Sequence, residues 1–267
     1  MPLNIAYVVF SNADFLIFTQ NDCMKITRFI PNAFTLANLF CGTTGVYFAA
    51  IGELEIAAYA VMLGIFFDFF DGFFARLFKV QGELGLQLDS LADAVTSGAV
   101  PGMVMFQLLK QSTGWTTNSG SNEIYWESLD LLPFLGFAIT LASAFRLAKF
   151  NIDTRQTDSF IGLPTPANAL LIVSLPLIMQ YQDIAFAEAI ITNQWFLIAL
   201  TALCCYLLNA EIPLFALKFK SWAFAKNKVR YLFILATVIL IAELQFVAIP
   251  LIILLYVVVS LLTPKKA

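Results

Sequence analysis

Apolar residues in this chain come in long runs separated by short polar breaks. Eight runs stand out: 32–51, 55–78, 86–109, 131–150, 165–182, 194–217, 230–244 and 247–262. A helix needs roughly 20 apolar residues to cross about 30 Å of hydrocarbon. None of the runs alternates with period two, so helices rather than barrel strands must satisfy the backbone. The last two runs are short and meet around Glu243 and Gln245, which predicts a helical hairpin. The expected class is all-α: a polytopic transmembrane helical bundle of about eight spans, in one domain without internal repeats.

The basic residues orient that bundle. With eight spans and a cytoplasmic N-terminus, fourteen of the fifteen Lys and Arg fall on one side, and only Lys110 falls on the other. Because basic loops stay cytoplasmic, both termini are expected inside and the polar loop 111–129 outside. Residues 1–23 hold no basic residue and so lack the start of a signal peptide; the first bases follow in Met24-Lys25-Ile26-Thr27-Arg28. Met24 is therefore the expected natural start, and 1–23 a dispensable extension.

Composition supports the bilayer. Of 267 residues 60% are apolar, 12% are charged and 27 are Phe, and the mean hydropathy is +0.82. Soluble domains carry about a quarter charged residues. A net charge of −3 argues against nucleic acid as a partner. The absence of His removes His-based acid/base chemistry and His-ligated zinc. Cys23, Cys41, Cys204 and Cys205 have no metal-ligand spacing and read as buried thiols. Any metal must be held by oxygen.

Four acids break the apolar pattern. Asp68 and Asp71 lie toward the end of the second run, and Asp89 and Asp93 near the start of the third. Charges embedded in a membrane segment are costly and mark function by default. Asp68, Asp71, Gly72 and Ala75 fall at i, i+3, i+4 and i+7, one face of a helix; Asp89 and Asp93 are one turn apart, with Gly85 a turn earlier. The short connection lets the carboxylates converge, where they repel one another unless cations neutralise them. Oxygen-only ligands suit Mg²⁺ or Mn²⁺, and two ions fit four carboxylates better than one. Such pairs clamp phosphoryl oxygens in displacement reactions. Gly72 and Ala75 leave room for a bulky ligand, and Arg76 offers a fork for phosphate.

The string Asp68-x-x-Asp71-Gly72-x-x-Ala75-Arg76, eight residues, Gly85, three residues, Asp89, three residues, Asp93 resembles the CDP-alcohol phosphotransferase signature at all eight of its fixed positions, within 26 residues. The resemblance implies a membrane enzyme that moves a phosphate-containing group from a CDP-linked donor to an alcohol and releases CMP. It also implies a six-helix core, usually dimeric. Residues 30–42, 88–93, 146–151 (Arg-Leu-Ala-Lys-Phe-Asn) and 160–167 (Phe-Ile-Gly-Leu-Pro-Thr-Pro-Ala) are similar to the phosphatidylserine synthase branch. The likeness covers about 24–220, leaving 221–267 as a C-terminal transmembrane hairpin and basic tail.

By that resemblance the donor is CDP-diacylglycerol, the acceptor L-serine, and the location the cell (inner) membrane with the site facing the cytoplasm. Asp68, Asp71 and Asp89 would ligate the divalent cations, with Asp93 near the second ion and acting as the general base. Gly72, Ala75, Arg76 and Gly85 would face the nucleotide and its phosphates, as would the polar strip Asn32, Thr35 and Asn38, which could equally be capping and interface chemistry. Arg146, Lys149 and Arg155 are candidates to read a carboxylate or lipid phosphate, although the cytoplasmic charge bias alone also accounts for them. The Phe-rich run 66–78 reads as lipid-facing and core packing, Pro164 and Pro166 shape the start of the fifth span, and Glu211 has no assigned role.

Other readings use some of the same features. A glycerol-phosphate, inositol-phosphate or choline acceptor would use the same eight residues. A membrane prenyltransferase also uses Asp-rich helices and Mg²⁺, but usually places its two motifs in separate halves. An ion transporter would show acidic residues in pseudo-symmetric halves, and these have no counterpart in the second half.

Overall fold

The computed structural model describes residues 12–115, 130–153, 159–215 and 227–262, with side chains from Phe29 onward except at Ser159, Phe160, Pro213 and Phe215. It begins with two long antiparallel helices, α1 (Asn12–Ile51) and α2 (Leu54–Leu77). α1 runs unbroken through Met24 and Pro31, so its backbone covers part of the predicted extension; residues 1–11 lie outside the described set. Gly52, at φ +92°, supplies the left-handed residue that ends α1: its N–H bonds the Ala49 carbonyl and that of Glu53 the Phe48 carbonyl. The remaining carbonyls at that end are met by Gln107, whose side-chain amide donates to Ala49 and Ala50 at 2.9 and 2.8 Å. A Cβ at Gly64 on α2 would meet Asn38 and Cys41 of α1, so that glycine lets the two backbones approach closely.

Lys79, at φ 55°, closes α2 and turns the chain into α3 (Glu83–Asp93). A π turn over Ala94–Ala99, in which the Val100 N–H reaches back to the Val95 carbonyl, joins α3 to α4 (Val100–Ser112). After a 3₁₀ start at Leu132–Phe137 comes α5 (Ala138–Ile152). α6 (Thr165–Tyr181) is mostly apolar and is buried over most of its length, Asn168 and Ser174 included, at the centre of the bundle. α7 (Ala185–Ile191) and α8 (Gln194–Asn209) meet at a 69° bend. There the Asn193 side chain caps α8 by accepting from the Trp195 and Phe196 N–H groups.

Two features depart from the all-α expectation and its boundaries. The run 194–217 is helical only to Asn209; the chain then extends, and Pro213–Phe215 pairs antiparallel with Ser159–Ile161. Pro213 has no N–H with which to continue a helix. This short ribbon ties the stretch before α6 to the end of α8. The predicted hairpin is present as α9 (Lys228–Leu244) and α10 (Ala248–Leu262), broken at Gln245 with φ 47°. The Phe233 and Tyr256 rings, 5.9 Å apart, show that α10 folds back along α9.

Phe29–Ile51, Leu54–Leu77 and Leu132–Ile152 are each long and apolar enough to cross a membrane, and Lys228–Leu262 is so by length and composition although it doubles back at Gln245. In the Phe-rich run, Phe66, Phe69 and Phe73 point outward. Phe67, Phe70 and Phe74 instead gather on Phe34 of α1, with ring centroids 5.2–6.1 Å away. The run therefore divides by helix face between an outer apolar surface and packing between α1 and α2.

Candidate metal and nucleotide site

Helical spacing on α2 and α3 brings the acids together. Carboxylate oxygens of Asp68, Asp71 and Asp89 all lie within 4.8 Å of one another. Asp71 is buried, and its Oδ2 accepts a 2.7 Å hydrogen bond from the Thr35 hydroxyl of α1. Asp93 lies one turn beyond Asp89, outside that group of three, and its Oδ1 accepts from the Asn38 amide at 3.3 Å. Asp93 interacts electrostatically with Asp89 and Asp71, and with Arg146 as the opposing charge. Hard carboxylate oxygens packed this closely fit a divalent cation such as Mg²⁺ or Mn²⁺, whose charge would offset their repulsion.

Beside the cluster opens a cavity of about 500 Å³, a size suited to a nucleotide-sized ligand. Its walls include Asn32 and Thr35 from α1; Asp71, Gly72, Ala75 and Arg76 from α2; and Gly85 and Asp89 from α3. At Gly72 an added Cβ would meet only the Arg76 guanidinium, at 3.8 Å, and at Gly85 only the Asn32 side chain, at 3.6 Å. Both glycines thus leave the cavity open, and neither is demanded by packing. Asn38 departs from the expected strip: it is fully buried and turned to Asp93.

Of the expected basic trio, Arg146 and Lys149 border one small gap, and each has its own partner. Arg146 is buried, donates from Nη2 to the Gly162 carbonyl at 3.3 Å, and leaves Nε without a partner among the described residues. Lys149 pairs with Glu211 at 3.3 Å, which gives Glu211 a partner. Arg155 lies outside the described residues. The gap bordered by Arg146 and Lys149 measures only about 10 Å³, room for about one water. Local spacing carried no sign of two further contacts. Asn151 at the end of α5 bonds Ser90 at 2.9 Å, next to Asp89. Thr96, in the π turn, donates to the Asn38 carbonyl at 3.0 Å.

Fold and site together define a class: a bundle of apolar helices that gathers acidic side chains able to hold a cation at the edge of a nucleotide-sized cavity. Residues 28–205, two thirds of the chain, match the family model for CDP-alcohol phosphatidyltransferase, and the chain belongs to that family. Among curated relatives, it is 30% identical over 152 residues to the CDP-diacylglycerol–serine O-phosphatidyltransferase of Bacillus subtilis (strain 168), covering 55% of this chain and 75% of that protein. It is 31% identical over 149 residues to the protein of the same name from Helicobacter pylori (strain J99), covering 54% of this chain and 55% of the relative. The archaetidylserine synthase of Methanothermobacter thermautotrophicus is 28% identical over 168 residues, covering 61% of this chain and 65% of that protein. The chain thus spans about half to three quarters of the relatives it matches.

Proposed function

We propose that the chain is a CDP-diacylglycerol–serine O-phosphatidyltransferase, converting CDP-diacylglycerol and L-serine to phosphatidylserine and CMP. The observation that carries the chemistry is the meeting of Asp68, Asp71 and Asp89 within 4.8 Å beside the cavity faced by Gly72, Ala75 and Arg76. The names of the relatives support serine as the acceptor.

In this reading the CMP portion of the donor occupies the cavity, between Asn32 and Thr35 on one wall and Gly72, Ala75 and Gly85 on the other, with Arg76 on its phosphates. Mg²⁺ or Mn²⁺, two ions held by Asp68, Asp71, Asp89 and Asp93, would supply the positive charge that neutralises the diphosphate. Asp93, held by Asn38, takes the serine hydroxyl proton. The serine oxygen then bonds to the phosphatidyl phosphorus as the bond from that phosphorus to the CMP oxygen breaks. Arg146, buried and opposed in charge to Asp93, would bind the serine carboxylate. Lys149, already paired with Glu211, is a lesser candidate.

The eight crossings, the cytoplasmic termini and site, the cell membrane and a homodimeric state belong to the same proposal, supported by the basic-residue asymmetry and by family likeness. The test is CMP release by purified protein from CDP-diacylglycerol with serine, glycerol-phosphate, inositol-phosphate or choline, with and without Mg²⁺ or Mn²⁺. Release that needs both serine and a divalent cation is expected. No serine-dependent release would overturn the assignment, and activity indifferent to chelation would overturn the cation role.

A further inference from the structure

Directly after Asp93 the helix abandons α geometry for one π turn, Ala94–Ala99. π turns inside α-helices are rare and cluster at functional sites. Thr96 sits in this one, fully buried, with its hydroxyl bonded at 3.0 Å to the main-chain carbonyl of Asn38 on α1. The side-chain amide of Asn38 in turn donates to Asp93 Oδ1. The π turn therefore reaches its own helix's aspartate by way of a neighbouring helix.

Two glycines make this arrangement possible. A Cβ at Gly42, one turn along α1 from Asn38, would land on the Thr96 hydroxyl and within 3.0 Å of its backbone. A Cβ at Gly64 on α2 would stand 2.6 Å from the Thr96 methyl and 2.9 Å from Asn38 Oδ1. Real side chains essentially never approach so closely, so three backbones converge on Thr96 only because both positions are glycine.

We infer that Thr96 is a positioning residue for Asp93, acting through Asn38; this rests on the proposed role of Asp93 as the base. At 3.3 Å the Asn38–Asp93 bond is near the long limit for a hydrogen bond. A shift of about half an ångström between α1 and the π turn would break it and let the carboxylate rotate. The hydroxyl of Thr96 prevents that shift, because inside a membrane its bond to the Asn38 carbonyl has no water to replace it. Thr96 touches no substrate and holds no cation; it fixes where Asp93 points.

The experiment compares Thr96→Val, which keeps shape and loses the hydroxyl, with Thr96→Ser, which keeps the hydroxyl. In Thr96→Val kcat should fall roughly tenfold or more, as for a misplaced catalytic group, while KM for both substrates and direct binding of CDP-diacylglycerol stay near wild type. Thr96→Ser should recover most of kcat. On an Asn38→Ala background the Thr96→Val change should add little, because both act on one bond. Wild-type kcat in Thr96→Val overturns the inference. So does a loss shared equally by Thr96→Ser, or one accompanied by lost CDP-diacylglycerol binding. A wild-type protein without serine-dependent turnover would instead overturn the function itself, which separates the two failures.

Discussion

The Thr35 hydroxyl on α1 donates to Asp71 Oδ2 on α2 at 2.7 Å, deep enough that both side chains are buried. A bond to a carboxylate in such a place contributes about 1.5–3 kcal/mol. It holds one cation-ligand candidate in a fixed rotamer before any ligand arrives. Thr35→Val should therefore raise the Mg²⁺ or Mn²⁺ concentration needed for half-maximal turnover by roughly tenfold. A metal titration of CMP release checks this; an unchanged midpoint would mean that Thr35 does not orient Asp71.

Asp93 differs from its three neighbours by standing outside the tightest cluster and bonding to Asn38. If it is the base, Asp93→Asn should lower kcat by a factor on the order of 10²–10⁴ and leave CDP-diacylglycerol binding largely intact. Kinetics beside a direct binding assay test this. A variant retaining a tenth of wild-type turnover would refute the role.

Two glycines on α2 should respond in opposite ways. A side chain at Gly72 meets only Arg76, at 3.8 Å, and then enters the cavity. Gly72→Leu should fold with an unchanged Tm and raise KM for CDP-diacylglycerol about tenfold or more. Gly64 is pressed against Thr96 and Asn38, so Gly64→Ala should cost about 1–3 kcal/mol and lower Tm in detergent. Thermal melting and KM together separate the effects, and equal behaviour of the two variants would contradict the geometry.

Arg146 and Lys149, three residues apart, should also differ. Arg146 is buried beside Asp93, whereas Lys149 makes a partly exposed pair with Glu211. Arg146→Lys keeps the charge but loses the planar fork, and KM for serine should rise about tenfold with KM for CDP-diacylglycerol unchanged. Lys149→Ala should change stability by about 0–1 kcal/mol and turnover little. Kinetics with serine as the varied substrate check both; a serine KM untouched in Arg146→Lys would remove Arg146 from the acceptor site.

These contrasts follow what the sequence could and could not disclose. Asp68, Asp71, Gly72 and Ala75 were legible because they share one helix, and helical periodicity assigns them one face without knowledge of anything else. The hairpin was legible because Glu243 and Gln245 interrupt apolar runs too short to cross separately with ease. The pairing of Ser159–Ile161 with Pro213–Phe215 was not, since two three-residue strands carry no periodicity and their partners are more than fifty residues apart. Asn38 looked like part of a polar strip, but helical drift over six residues and the nearby π turn direct it to Asp93. Arg146 and Lys149 border one small gap, but the sequence could not show that Lys149 pairs with Glu211 while the Gly162 carbonyl and the charge of Asp93 hold Arg146.

In the proposed function, α2 and α3 together seat divalent cations on their carboxylates at the wall of the nucleotide cavity. Anomalous X-ray scattering from crystals grown with Mn²⁺ and CDP-diacylglycerol tests it most directly. Two manganese peaks are expected, bounded by Asp68, Asp71, Asp89 and Asp93 and adjoining the diphosphate. Manganese bound elsewhere, or a diphosphate held at those aspartates with no metal between, would contradict it.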